Sequence, residues 1–173
     1  MFFILPAIQD KEPDMERLIK EYSKGLTRLC YMLLKDAHLA EDAAFEALFK
    51  AYKNFHSFRR DCSEKTWITQ IAVNVCKNYM RKDSFREIAG SDRISLDYAS
   101  EDMATSEFCN EEALMLLNAV YQLPEKYKQV VLLRYYQQMS VSEISKVLKE
   151  KENTISVRIR RAHEMLKKAL KEV

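Results

Sequence analysis

A chain of 173 residues with only two glycines and three prolines lacks the turn chemistry of β-hairpins and Gly-rich phosphate loops, which excludes most sheet architectures and phosphate-loop enzymes. Hydrophobic residues at 47% and charged residues at 31% describe a folded, largely helical globular chain that could form one domain or two small modules. The net charge of +2 conceals three blocks: residues 1–87 hold 15 basic and 13 acidic residues, 88–112 hold 1 and 7, and 113–173 hold 12 and 6. A basic block of that length suits a phosphate backbone, a solvated Lys/Arg face being the alternative.

The opening run Phe2–Ile8 is apolar, but it has no basic leader segment or small-residue cleavage site, and Asp10, Lys11 and Glu12 end it. No stretch approaches the ~20 apolar residues of a membrane span, so the expectation is a cytoplasmic chain without membrane insertion. Cys30, Cys62, Cys76 and Cys109 are widely spaced, as expected of free buried thiols in a reducing compartment, and no metal or cofactor is implied.

From Pro13, the residues Leu18, Ile19, Tyr22, Leu26, Leu29, Cys30 and Leu33 recur at three- and four-residue steps and predict a first helix, which Gly25 weakens without ending. A second helix is expected from Leu39 to Phe55, with Glu41 and Asp42 in its first turn, where the helix dipole favours anions. A third begins near Asp61, paired with Glu64 as a capping box, and carries Trp67, Ile68, Ile71, Ala72 and Val75 to about Arg81. Between Ile88 and Asn110 the period fails, and the Ser/Asp/Glu-rich segment reads as a linker.

Periodicity returns at Glu111, and Pro124 opens a further helix carrying Tyr127, Val130, Val131, Arg134 and Tyr135. Ser140 and Glu143 form a second capping box, and after a short turn Asn153 can cap a final helix reaching Leu170. In that helix Ile155, Ile159, Ala162, Leu166 and Ala169 form an inward stripe. The opposite side presents Asn153, Val157, Arg160, Arg161 and Glu164, flanked by Thr154 and Arg158. A short helix, a turn and a longer helix with a basic outer face is a helix-turn-helix arrangement. Its arginines suit guanine edges, its asparagine adenine, and Val157 a thymine methyl.

These residues resemble the extracytoplasmic-function σ factors of bacterial RNA polymerase. Ala40-Glu41-Asp42, with Glu46, Phe49, Lys50, Tyr52 and Phe55, is similar to the family's clamp-binding helix. Phe58-Arg59 and Thr66-Trp67-Ile68 through Ile71-Ala72, Asn74, Asn78 and Arg81 are similar to the loop and helix that open the −10 element. Leu123-Pro124, Glu143-Ile144, Thr154-Ile155, Arg158 and Arg161-Ala162 match the −35-reading domain. The chain departs from the pattern at Phe45, where the family often has Gln, at Asn78, where it often has Asp, and at Lys149, which stands in the helix-turn-helix turn where Gly is usual. Lys149 must either take a positive φ or reshape that turn.

The resemblance implies an all-α protein of two small bundles: residues 1–86 for the polymerase clamp and the −10 element, an acidic linker over 87–112, and residues 113–173 as a helix-turn-helix domain for the −35 element. It implies binding to the β′ clamp through Glu41, Asp42, Glu46 and Phe49, and to the β flap. Contacts to −10 DNA fall to Ser57, Phe58, Arg59, Lys65, Asn74, Lys77, Asn78, Arg81 and Lys82. Contacts to −35 DNA fall to Asn153, Thr154, Val157, Arg158, Arg160 and Arg161. Core RNA polymerase, promoter DNA and an anti-σ factor are the implied partners. Trp67 reads either as core or as a base-stacking platform. His38, His56 and His163 lie far apart without a nucleophile or carboxylate partner, so no enzyme is expected. The rival reading is a helix-turn-helix regulator that acts without polymerase.

Overall fold

The computed structural model describes residues 14–81 and 111–171, the side chains of 111–114 excepted. The opening apolar run, Lys82, Cys109 and the acidic segment lie outside the described residues, which contain no strand.

Helix α1 spans Met15–Leu34, begun by Asp14, whose carboxylate accepts the Glu16 N–H at 3.0 Å, and ended by Lys35 in the left-handed region at φ 60°. Helix α2 spans Ala37–Lys53 and starts where the Asp36 carboxylate accepts the Leu39 N–H at 2.8 Å. It therefore begins two residues before the expected Leu39, and Glu41 and Asp42 fall beyond its first turn, so the helix dipole does not account for them. Helix α3 spans Glu64–Arg81. The helix begins at Glu64, so the Ser63 hydroxyl, not Asp61, accepts the Thr66 N–H at 3.1 Å, and both Glu64 carboxylate oxygens accept from Arg17, at 2.8 and 3.0 Å. Burial pushes the Glu64 carboxyl up, but the bonds from Arg17 and Tyr22 outweigh it and hold it below the usual carboxylate range. This pair joins the start of α1 to the start of α3. Between them, Ala40, Ala43, Ala44, Ala47 and Ala51 line the buried side of α2, and small side chains there let α1 and α3 approach closely. Leu18, Leu29, Leu48, Ile68, Val73 and Val75 fill the space.

The second group begins with α4, Glu111–Gln122, and α5, Glu125–Val131, opened by Pro124. The helix expected to continue through Arg134 and Tyr135 instead widens into a π-helical turn, Leu132–Tyr136. Gln138 then turns at φ 57°, and the Met139 N–H reaches back to the Leu133 carbonyl at 3.0 Å. Arg134 stabilises this turn by donating to the Met139 carbonyl at 2.8 Å. The wider turn absorbs an extra residue that α-helical spacing has no room for.

Helix α6, Val141–Leu148, carries the capping box read from the sequence: the Ser140 hydroxyl accepts the Glu143 N–H, and the Glu143 carboxylate accepts the Ser140 N–H at 2.9 Å. Ser140→Ala should cost ~1 kcal/mol, seen as a lower urea midpoint with unchanged slope. Lys149 ends α6 at φ 56°, so the turn is kept at the expense of a left-handed lysine. Helix α7 spans Glu152–Ala169. Lys151 sits at its cap without a side-chain bond, and Asn153 lies inside the first turn, so it is not the cap expected. Ile155, Ala162 and Leu166 are buried and Ile159 partly so, whereas Ala169 is exposed because the last turn, Lys167–Leu170, projects past the bundle.

The two helix groups touch through α3 and α6, and their buried side chains form one continuous cluster. Cys30 and Cys76 are fully buried thiols; their mutual hydrogen bond and burial push the Cys76 thiol up, while Cys62 is partly exposed. No described helix is long and apolar enough to cross a membrane, and the described residues hold no cluster of His, Cys, Asp and Glu suited to a metal.

Candidate nucleic-acid and polymerase interfaces

Three exposed surfaces collect the candidate residues. On α2, the buried alanines force the opposite side outward, where Glu41, Asp42, Phe49 and Tyr52 are exposed and Glu46 half-buried. Glu46 accepts from Lys50 at 2.6 Å. The most open of the large apolar side chains on this face is Phe45, 59% exposed, its ring parallel to Phe49 within 7° at a centroid distance of 6.5 Å. The Lys53 ammonium lies over the outer ring, 4.7 Å from the Phe49 centroid. Phe45 was missing from the expected contact set, although its four-residue offset from Phe49 was the available signal.

Between α2 and α3, a 3-10 turn over Phe55–Ser57 leads into the candidate −10 loop. Phe58 stacks on Trp67 at 4.9 Å, and Phe55 meets the same indole edge-on at 6.0 Å. Trp67 therefore serves as the platform that holds the loop, packed partly against the core. Ser57 and Arg59 are exposed, the Ser57 hydroxyl donating to the Asn54 carbonyl at 2.7 Å. Arg60 turns the loop at φ 60°, a strain the sequence did not announce. On α3, Asn74 and Asn78 are exposed one turn apart, with Arg81 one turn beyond. Lys65 and Lys77 differ. The Lys65 ammonium donates to the Gln137 carbonyl at 2.8 Å, and Lys77 is half-buried, its ammonium held below the usual range by burial despite the attraction of Glu150.

On α7, Asn153, Arg160 and Arg161 are exposed and Val157 partly so, on the side away from Ile155, Ala162 and Leu166, while Thr154 and Arg158, also partly exposed, flank that side next to the buried stripe. Val157 is thus less open than expected. Arg158 is paired with Glu150 at 2.8 Å, and Glu150 is fixed in the turn by its carbonyl, which accepts the Ser145 hydroxyl, and its N–H, which donates to the Ser145 carbonyl at 3.1 Å. His163 bonds Tyr135 at 2.6 Å on the surface, and His38 and His56 are exposed.

A family model described as Sigma-70 region 2 matches residues 18–86, and one described as Sigma-70, region 4 matches residues 113–166. The chain is a σ factor of the σ70 family. Among curated proteins, this σ factor is 31% identical over 168 residues to the ECF RNA polymerase sigma factor SigW of Bacillus subtilis, covering 90% of this chain and 88% of that one. It is 33% identical over 134 residues to the ECF RNA polymerase sigma-E factor of Escherichia coli K12, covering 72% and 70%. Among solved structures it resembles the sigma factor RpoE in complex with the anti-sigma factor NepR from Bartonella quintana, with a TM-score of 0.71 at 21% identity over 91% of this chain and 97% of that one. CnrH in complex with the cytosolic domain of CnrY gives 0.66 at 17% identity over 91% and 88%. These two likenesses establish the fold. This σ factor is of the extracytoplasmic-function type: it binds core RNA polymerase and directs promoter recognition.

Proposed function

We propose that α2 is the clamp-facing surface of this σ factor, that the loop 57–65 with Asn74, Lys77, Asn78, Arg81 and Lys82 opens the −10 element, and that Asn153, Thr154, Val157, Arg158, Arg160 and Arg161 read the −35 element. The observation that carries this reading is the occurrence, in one chain, of an acidic and aromatic face on α2 and a basic outer face on α7 behind a helix-turn-helix. The division into residues 1–86, 87–112 and 113–173 belongs to the same reading, supported by family matches that stop at 86 and resume at 113. The protein works in the cytoplasm beside its polymerase, and its activity is set by an anti-σ factor, as the names of the neighbouring complexes suggest. The protein is a regulator, with no catalytic role of its own.

The test is selection of promoter DNA from a random-sequence pool by the chain mixed with core polymerase, followed by run-off transcription on the selected template. Transcripts that need both components support the reading. DNA binding that is indifferent to polymerase and produces no transcripts would favour a regulator acting alone. On the selected −35 duplex, Arg161→Ala should weaken binding by ~1 to 3 kcal/mol if it reads a base edge, or lower the salt slope if it holds a phosphate. Arg158→Ala should cost less, because Arg158 first has to give up its bond to Glu150. Unchanged affinity in both variants would place the reading face elsewhere on α7.

A further inference from the structure

A helix roughly 10–12 Å in diameter, lying in a major groove about 12 Å wide, sets its reading face on the base edges and turns its two flanks to the two sugar–phosphate strands. On α7 one flank is Thr154, Arg158 and Arg161. The other holds Ser156, Arg160, His163 and Lys167, exposed side chains at steps of four, three and four residues, with Glu152 one turn before them and Glu164 beside them on the reading face. This second flank receives a side chain from outside the helix: the Tyr135 hydroxyl lies 2.6 Å from His163 Nε2, the rings tilted at 42° with centroids 5.4 Å apart. Tyr135 belongs to the π turn Leu132–Tyr136, which Arg134 and the Met139 N–H close by bonding across it. At 53% exposed it is the most open large hydrophobic side chain among the described residues of that helix group. A π turn is a rare way to continue a helix, and such turns recur at functional sites.

We propose that the Tyr135 hydroxyl is a phosphate contact to the promoter strand facing this flank, and that His163 is the positioning residue that aims it. The inference rests on the assignment of α7 to the −35 element above. A phenol has one proton to give and an oxygen that also accepts. When His163 Nε2 carries its proton it donates to the phenol oxygen, and the phenol O–H is left free to point outward. The hydroxyl then offers only its donor side, which suits a phosphodiester oxygen, an acceptor with no proton to give. Its place along the helix agrees. The first residues of a recognition helix reach base edges, whereas His163 stands eleven residues after Glu152, about 16 Å along the axis. Arg160 and Lys167, one turn to either side on the same flank, add positive charge along that strand. Such a contact carries no sequence information; it fixes the helix in the groove so that the arginines meet their bases. Two side chains already bonded to each other also lose little freedom on binding.

Holoenzyme assembled from core polymerase and the full chain tests the contact on promoter fragments carrying randomly ethylated phosphates. With the parent chain, ethylation of a short run of phosphates beside the −35 element should block binding. With Tyr135→Phe, which keeps the ring and removes the hydroxyl, that run should become tolerant while interference elsewhere persists. On unmodified DNA, Tyr135→Phe should bind about three- to tenfold more weakly, with an unchanged salt slope because no charge is lost. His163→Ala should give the same interference pattern, and His163→Gln, which keeps an N–H within reach of the phenol oxygen, should restore the parent's. Adding His163→Ala to Tyr135→Phe should cost nothing further; additive losses would overturn the positioning role. Arg161→Ala, measured alongside, reports on the reading face itself. If it loses affinity while Tyr135→Phe matches the parent in both assays, the phosphate contact is overturned and the −35 assignment stands; if neither variant loses affinity, both fall. Parent-like interference with a lower urea midpoint would reduce the bond to a tie between the π turn and α7, and parent-like interference with weaker core-polymerase binding would make Tyr135 a protein contact. Either outcome overturns the proposal.

Discussion

Replacing Phe45 and Phe49 together by alanine is expected to weaken binding to core polymerase by 2 kcal/mol or more, about thirtyfold or greater, while leaving the fold intact. Both rings stand on the side of α2 opposite its buried alanines, 59% and 42% exposed, so their removal opens no cavity. Their energetic weight lies in what they would lose at an interface. Aromatic side chains at the centre of a contact carry most of its free energy, whereas rim carboxylates such as Glu41 and Asp42 chiefly set approach and register. A parallel pair already in place is also ordered before binding, which lowers the entropic cost. Charge reversal at Glu41 and Asp42 should instead slow association and reduce its salt dependence. Titrating labelled σ factor with core polymerase, by anisotropy and by stopped flow, separates the two effects. An unchanged equilibrium in the double-alanine variant would remove α2 as the docking face.

Alanine at both Asn74 and Asn78 should reduce run-off transcription on a duplex promoter by tenfold or more, with core-polymerase binding and helix content unchanged. Their amides are exposed one turn apart on α3, on a side not occupied by the core. Taking a base out of the stack costs a few kcal/mol, which contacts to the separated strand must offset. A template with a mismatched bubble across the −10 element has already met that cost, so it should recover much of the lost transcription. Equal loss on duplex and bubble templates would mean that the asparagines hold the strand after melting. Full activity on both would exclude them from the −10 surface. The Phe58–Trp67 stack gives a built-in control: a perturbed loop would change tryptophan fluorescence, which substitutions at Asn74 and Asn78 alone should leave alone.

Much of this architecture was legible in the order of residue types. The Ser140–Glu143 capping box, the inward stripe of α7 and the apolar periods of α1 and α3 are local patterns, and local patterns survive folding when burial agrees with them. The misreadings have different causes. Asp61 and Glu64 satisfied the spacing of a capping box, but α3 begins at Glu64, so Ser63 holds the cap, and Arg17, distant in sequence, takes Glu64. Asn153 had the chemistry of a cap, but the turn after Lys149 let α7 begin at Glu152. The π turn at Leu132–Tyr136 left no sign in the residues that α-helical spacing could reveal.

The family, the all-helical class and the candidate faces of α2 and α7 follow from sequence alone, because periodicity and charge state which side of a helix meets water and which meets core. Tertiary structure alone decided which of those exposed groups are engaged. Lys65 bonds a carbonyl from the other helix group, and Glu64 is taken by Arg17. Such pairings depend on helices brought together across long stretches of chain, and a one-dimensional period carries no information about distance between helices. The packing of α6 on α3 is the clearest case: Thr66 and Gln70 read as ordinary polar positions of a helix until Glu143 and the Lys146 carbonyl arrive opposite them.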